Sequence, residues 1–257
     1  MKQEKIIYQF PGAFEENRLE KLYNVTFDSS FLGSQAVADE IASLIKEKQV
    51  NGLPCVLGLA TGSSPISVYN QLIKLHREEA LSFKNVITFN LDEYYGLEPK
   101  DINSYHFFMH ENLFNHIDIP LENINIPSGI IEPIKVRDYC KAYEKKIADL
   151  GGLDFQLLGI GRTGHVGFNE PGSNINSQTR LVSLDHLTRY DAAGAFHGIE
   201  NVPSKAITMG IKTILSAKRI VLLAWGINKS EIIHKAVEGS ITPNIPTTYL
   251  QEHKNTT

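Results

Sequence analysis

Short apolar runs recur along the chain: Cys55 to Ala60, Val86 to Leu91, Phe155 to Ile160, Ala206 to Met209 and Ile220 to Ala224. Runs this short and this continuous are the pattern of strands buried on both faces. Between them, Ala36 to Lys46, Ile66 to Glu78, Tyr105 to Phe114, Val136 to Leu150 and Lys229 to Glu238 carry apolar residues three and four apart, as one face of a helix does. Alternation of these two patterns predicts an α/β fold, doubly wound and Rossmann-like, with a mostly parallel sheet covered by helices on both faces of a single domain.

Two stretches fall outside that rhythm. Residues 1–22 precede the first α/β unit and are rich in charge, which predicts an N-terminal extension ahead of a domain spanning 23–257. Residues 171–204 mix Gly, Ser, Asn and charges without a long period, and so long a connection inside a domain is usually functional; a lid is expected there. After Pro243, Pro246 and the stretch Thr247 to His253 no further apolar strand follows, so the domain is expected to be truncated at its C-terminal side.

Composition narrows the partners. The 257 residues are 42% hydrophobic and 21% charged, ordinary for a folded domain. Lys and Arg number 25 against 29 Asp and Glu, a net charge of −4, which offers no basic field for nucleic acid. No apolar stretch is long enough to span a bilayer, and the start lacks a signal-peptide core. Cys55 lies inside an apolar run far from Cys140 in sequence, which argues against a disulfide framework; a reducing cytoplasm is the expected location, and the sequons at Asn24 and Asn255 are chance matches.

Four places can carry chemistry. Leu57 to Ala60 runs into Thr61-Gly62-Ser63-Ser64-Pro65 and then a helix, with Ser64 as the expected N-cap and Pro65 as the first helical residue. Free N–H groups at such a start suit a phosphate, and they equally suit an ordinary capped turn. Asp92 and Glu93 follow the strand Val86 to Leu91, at the carboxyl edge where ligands of open α/β sheets bind. Either is placed to serve as a general base, or both are solvated turn residues. The stretch Gly159 to Pro171 is dense in glycine and displays His165 and Glu170, an imidazole for proton transfer and a carboxylate to orient it. A third metal ligand at recognised spacing is missing, so no metal site is expected. Lys229, at a strand-to-helix junction on the same edge, can reach a phosphate as a point charge. His110, His116, His186, His197 and His234 are expected to be structural.

Taken in order, Leu-Gly-Leu-Ala-Thr-Gly-Ser-Ser-Pro, Phe83 to Tyr94, Ser104-Tyr105 with Phe108-Met109-His110, Gly164-His165 with Phe168-Asn169-Glu170-Pro171, and Ala236-Val237-Glu238-Gly239 resemble the glucosamine-6-phosphate deaminase family. The resemblance covers residues 24–254. The Phe-Asn-Glu-Pro tetrapeptide sets the chain apart from the related 6-phosphogluconolactonases, which share the fold. The resemblance implies an aldose–ketose isomerisation coupled to loss of ammonia, turning glucosamine 6-phosphate into fructose 6-phosphate without metal or organic cofactor. It implies Asp92 as the base that moves a proton between C2 and C1, His165 as the group that opens the sugar ring, and Glu170 as its supporting carboxylate. Thr61, Gly62, Ser63, Ser64 and Lys229 match phosphate ligands, 171–204 contains the mobile lid, and a homo-oligomer, often a hexamer, is implied.

Three positions depart from the family pattern. Thr163 stands where an aspartate is usual, and a hydroxyl cannot supply the charge that favours imidazolium. Asp191-Ala192-Ala193-Gly194-Ala195 occupies the part of the lid that normally holds a phosphate-binding arginine. Val182 replaces a lysine of allosterically activated members, while Arg180 and Ser173 are retained. These departures raise two alternatives to the deaminase: an enzyme for another sugar phosphate, a lactone included, and a sugar-phosphate binding or regulatory module with weakened catalysis.

Overall fold

The chain opens with a short antiparallel pair, β1 (Ala13–Glu15) and β2 (Val25–Phe27), in a computed structural model that describes residues 13–15 and 19–257. Helix α1 (Ser30–Val50) follows, capped by the Ser29 hydroxyl, which accepts from the Leu32 N–H at 3.3 Å. The α/β layers then build in order: β3 (Cys55–Leu59), α2 (Ser63–Glu79), β4 (Val86–Asn90), β5 (Asp92–Tyr94), α3 (Tyr105–Asn112), β6 (Ile124–Asn125), α4 (Val136–Asp149) and β7 (Phe155–Gly159). They end with β8 (Arg180–Ser183), α5 (His186–Ala192), β9 (Lys205–Thr208), α6 (Ile211–Leu215), β10 (Ile220–Leu223) and α7 (Ser230–Glu238).

The central sheet is parallel and ordered β10-β7-β3-β4-β6. Alternate residues of one strand feed different cores. Leu57 and Leu59 join α1 and α2 on one side, through Ile41, Ile45, Val68, Tyr69 and Leu72, whereas Val56 faces Tyr143 and Ile147 of α4 and Ile214 of α6 on the other. Two apolar cores on two faces make the fold doubly wound. The chain winds outward from β3 through β4 to β6, then returns to the other side of β3 through β7 and β10. This reversal opens a crevice at the carboxyl ends of β3 and β7, the place where ligands of such sheets bind.

The run Ala206 to Met209 was expected in the parallel sheet, but β9 belongs to a second, three-stranded antiparallel sheet ordered β5-β9-β8. The reason is local. Leu91 closes β4 by donating its N–H to Leu59 at 3.0 Å, and its carbonyl accepts the Met209 N–H at 2.6 Å, so the chain turns into β5 and pairs there with β9. The segment 171–204 also differs from a plain loop: it holds β8, α5 and a 3-10 turn at Ile199–Asn201. These elements are too short to leave a period in the sequence.

Residues 1–12 and 16–18 of the expected N-terminal extension lie outside the described residues. Of the rest, Lys21 donates its N–H to Val237 of α7 at 2.7 Å, and Leu22 is buried in the core beside Val237. At the other end Asn255 to Thr257 lie along β10, with Ile220 N–H donating to Asn255 O at 3.0 Å and Leu222 N–H to Thr257 O at 2.8 Å. Cys55 and Cys140 are both buried free thiols. No helix among the described residues is long and apolar enough to cross a membrane.

Candidate active site

Three loops and an aromatic wall meet at the crevice. The first follows β3. Helix α2 starts at Ser63, so Ser64 is not its cap and Pro65 is not its first residue: Gly62, at φ 91°, occupies the cap position. A residue with that φ is strained unless it is glycine, and Pro65 fits the first turn because its missing N–H would be unpaired there anyway. The turn is anchored from below by Tyr69, whose hydroxyl donates to Ala60 O, and from the side by Trp225 Nε1, which donates to Ser64 O at 3.0 Å. Gly62 and Ser63 at the start of α2 are exposed, and free N–H groups at a helix start are of a kind that suits an anion.

The second loop follows β7 and sits beside the first: a Cβ on Gly159 would lie 3.8 Å from Ser64 Cβ. Here Lys229 donates its ammonium to Ile160 O at 2.8 Å, which fixes it at the mouth of the crevice. The imidazole of His165 lies across Gly161, where a Cβ would fall 2.0 Å from Nε2, so only glycine admits the ring in this position. Nδ1 of His165 is 2.8 Å from Thr163 Oγ1 and 3.2 Å from Glu170 Oε2. Glu170 in turn accepts from Thr188 Oγ1 at 2.5 Å, a contact from α5. Burial works to raise the Glu170 carboxyl, but hydrogen bonds from His165 and Thr188 and the nearby imidazole hold it below the usual range.

The third loop carries Asp92 and Glu93, 4% and 2% exposed. Asp92 pairs across the second sheet with Thr208, and the loop from β7 comes down on it: a Cβ on Gly167 would stand 3.1 Å from Asp92 Oδ2 and 3.0 Å from Thr208 Oγ1. Burial, helped by the charge of Glu93, pushes the Asp92 carboxyl up to about 8. Glu93 has a different surrounding. Burial pushes its carboxyl up to about 7, although it accepts N–H bonds from Tyr94 at 2.8 Å, Tyr105 at 2.9 Å and His106 at 2.9 Å, which offset part of that effect. It is tied to the start of α3.

The fourth wall is aromatic. Tyr105, first residue of α3, stacks on Phe168 with centroids 5.8 Å apart and planes 8° apart. Tyr94 packs against Tyr105, Phe168 and Phe196 at 5.0, 5.3 and 5.3 Å. The Tyr105 hydroxyl also meets Thr61, so this wall joins the Asp92 loop to the Thr61 turn. Below it Asn169 donates to Val166 O at 2.9 Å and Met209 O at 2.8 Å, which fixes the Phe-Asn-Glu-Pro turn.

The structure thus brings Asp92, His165, Glu170, the Thr61 to Ser64 turn and Lys229 to one sheet edge. The Thr163 hydroxyl, at the position where the resemblance leads one to expect an aspartate, lies beside the imidazole. Arg162 pairs with Asp191 of α5 at 2.9 Å, tying the β7 loop to the covering segment. Arg180 reaches Asn169 Oδ1 at 2.9 Å and Ser173 Oγ at 3.4 Å. Tyr105, Thr188 and Thr208 escaped the reading of the sequence as site residues. Tyr105 had a signal, the Ser-Tyr pair at a helix start, while the two threonines had none. Three of the remaining histidines have partners: His110 stacks on His106 at 4.6 Å, His116 Nε2 meets Glu111 O at 2.9 Å, and His234 lies 3.0 Å from Glu238. Among the described residues no group of three or more His, Cys, Asp or Glu side chains is placed to hold a metal ion.

Comparison with known proteins places this site in context. A glucosamine-6-phosphate deaminase-like protein of Bacteroides thetaiotaomicron is 48% identical over 251 residues, 96% of this chain and 38% of its own length; the chain therefore spans well under half of that relative. The glucosamine-6-phosphate deaminase of Oceanobacillus iheyensis is 49% identical over 226 residues, 88% of this chain and 86% of that protein. A solved structure described as a monomeric glucosamine-6-phosphate deaminase superposes with a TM-score of 0.84 at 46% identity, covering 89% of this chain and 92% of that one. Residues 30–257 match the family model of glucosamine-6-phosphate isomerases and 6-phosphogluconolactonases, and the chain belongs to that family.

Proposed function

We propose that this protein converts glucosamine 6-phosphate and water into fructose 6-phosphate and ammonia, a step of amino-sugar breakdown. The observation that carries the reading is Asp92, a buried carboxyl pushed up to about 8, at the same sheet edge as the His165–Glu170 pair. A base with a raised pKa near working pH is suited to take a proton from carbon. The names of the relatives support the same substrate.

In this reading the phosphate rests on the N–H groups of Gly62, Ser63 and Ser64 and on the Thr61 hydroxyl, with Lys229 supplying a positive charge. His165 passes the proton that opens the sugar ring, and Glu170 keeps the imidazole oriented. Asp92 then takes the proton from C2 and returns it to C1, so that C2 becomes an imine carbon. Water adds to C2, and the C–N bond breaks to release ammonia. The last step is a hydrolysis of carbon–nitrogen linkage, and no metal or organic cofactor enters any step. The cytoplasm is the proposed location. The homo-oligomer implied by the resemblance stands beside a solved relative described as monomeric, and light scattering of the purified chain decides between them.

The second reading, a binding module with weakened catalysis, is favoured by one observation: the neutral Thr163 hydroxyl is the nearest neighbour of His165 Nδ1. Ammonia release from glucosamine 6-phosphate separates the two. Robust release by the wild type that is lost in Asp92→Asn supports the deaminase. Tight binding without turnover at high enzyme concentration supports the module, and equal release by both proteins removes Asp92 as the base.

A further inference from the structure

The two oxygens of Glu170 have different neighbours. Oε2 faces His165 Nδ1 at 3.2 Å, longer than a charge-assisted hydrogen bond usually is, and Nδ1 stands nearer to the Thr163 hydroxyl, at 2.8 Å. Oε1 accepts from Thr188 Oγ1 at 2.5 Å. The N–H of Asp185, the cap residue of the same helix α5, also bonds this carboxylate. Glu170 is therefore held more firmly from α5 than from the imidazole it serves. Thr188 itself is buried, and a helical threonine commonly returns its hydroxyl to the carbonyl one turn back, whereas this one is given to Glu170.

Helix α5 is seated by contacts outside this pair. Arg189 donates to Ile199 O at 2.8 Å and Val202 O at 3.1 Å, and Asp191 meets Arg162 of the β7 loop at 2.9 Å. Phe196, just past the helix, packs on Tyr94 of the aromatic wall with ring centroids 5.3 Å apart. A shift of α5 thus carries the Glu170 carboxylate with it. We propose that Thr188 is a positioning residue for ring opening: its hydroxyl sets the Glu170 carboxylate against His165, so that the pair is assembled when α5 is seated over the crevice. The proposal deepens the deaminase reading, and the ring-opening role rests on that reading. His165 is the titratable group of the β7 loop that faces Glu170. From α5, Asp185 turns its own carboxylate to the Leu187 N–H at 2.8 Å, and Asp191 is paired with Arg162. The Thr188 hydroxyl bonds the charged form of Glu170, so its removal lets that carboxyl rise.

The test compares ammonia release from glucosamine 6-phosphate by wild type, Thr188→Val, which keeps the shape and removes the donor, and Thr188→Ser, which keeps the donor. In Thr188→Val kcat falls about tenfold, the weight of one hydrogen bond to a charged group, with KM near its wild-type value, and Thr188→Ser stays within about threefold of wild type. In a Glu170→Ala background Thr188→Val changes kcat by no more than about twofold, because the group it acts through is gone. An unchanged kcat in Thr188→Val, a rise in KM alone, or full multiplication of the two losses overturns the proposal and leaves Thr188 as a structural residue of the cover. A second arm needs no turnover. The Glu170 carboxyl carbon, followed by NMR, titrates higher in Thr188→Val than in wild type and returns in Thr188→Ser; an unmoved titration overturns the proposal. Thr188→Ala takes the place of the valine variant if that one does not fold. Absence of ammonia release by the wild type is a different failure: it removes the deaminase reading and the ring-opening role with it, while the NMR arm still decides whether Thr188 sets Glu170.

Discussion

Two acid–base pairs sit on the same sheet edge, and they are built in opposite ways. Asp92 and Glu93 are two like groups, adjacent in sequence and both sealed from solvent. His165 and Glu170 are two unlike groups, five residues apart and each with a small part of its side chain open, 16% and 13%. The first arrangement pushes a carboxyl up, because burial and a like charge both favour its neutral form. In the second, hydrogen bonds from the imidazole and Thr188 overcome burial and hold the carboxyl down. One fold therefore presents a carboxyl that wants its proton beside a carboxylate that has lost one. Pairs whose surroundings separate their pKa values in this way mark acid and base roles.

Breaking the buried pair has the largest expected effect. Asp92→Asn keeps size and removes the base, and ammonia release is predicted to fall by about 10³-fold or more, within the range of a proton-transfer group; a steady-state ammonia assay checks it. Breaking the other pair costs less. Glu170→Gln leaves the imidazole in place with a neutral neighbour, and kcat should fall by about tenfold to a hundredfold, at or below the lower end of that range. A change in kcat for Glu170→Gln as large as that for Asp92→Asn erases the distinction between the pairs. The smallest effect concerns a third, exposed pair. Arg162 and Asp191 are 54% and 46% open, so water screens their attraction. Arg162→Gln should lower the melting temperature by no more than about 3 °C by calorimetry. A much larger drop assigns that tie a structural weight its exposure does not predict.

The sequence made some of this visible and hid the rest, for physical reasons. The parallel strands were legible because burial on both faces leaves continuous apolar runs, as at Cys55–Leu59 and Phe155–Gly159, and the helices because one face keeps its period. The second sheet was not. Asp92–Tyr94 is three residues long, two of them acidic, and its partner at Lys205–Thr208 lies more than a hundred residues away. Nothing local signals such a pairing. Ser64 read as a cap because Ser-Ser-Pro is a common helix start, yet the backbone at Gly62 decides where α2 begins. Among the candidate site residues, the loops that carry Asp92, His165 and Glu170 were legible, but the different surroundings of Asp92 and Glu93 were not. Only the fold brings the N–H groups of Tyr105 and His106 onto Glu93 and leaves Asp92 without them. Thr188 was hidden likewise, since its contact with Glu170 depends on the folding of a segment without a period.

The contrast between the two pairs is tested most directly by a carboxyl-carbon NMR titration of the wild-type protein labelled at Asp and Glu, with assignments from Asp92→Asn and Glu170→Gln. The account predicts that Asp92 titrates near pH 8 and Glu170 below the ordinary glutamate range. Asp92 titrating near pH 4, alongside the surface carboxylates, would contradict it.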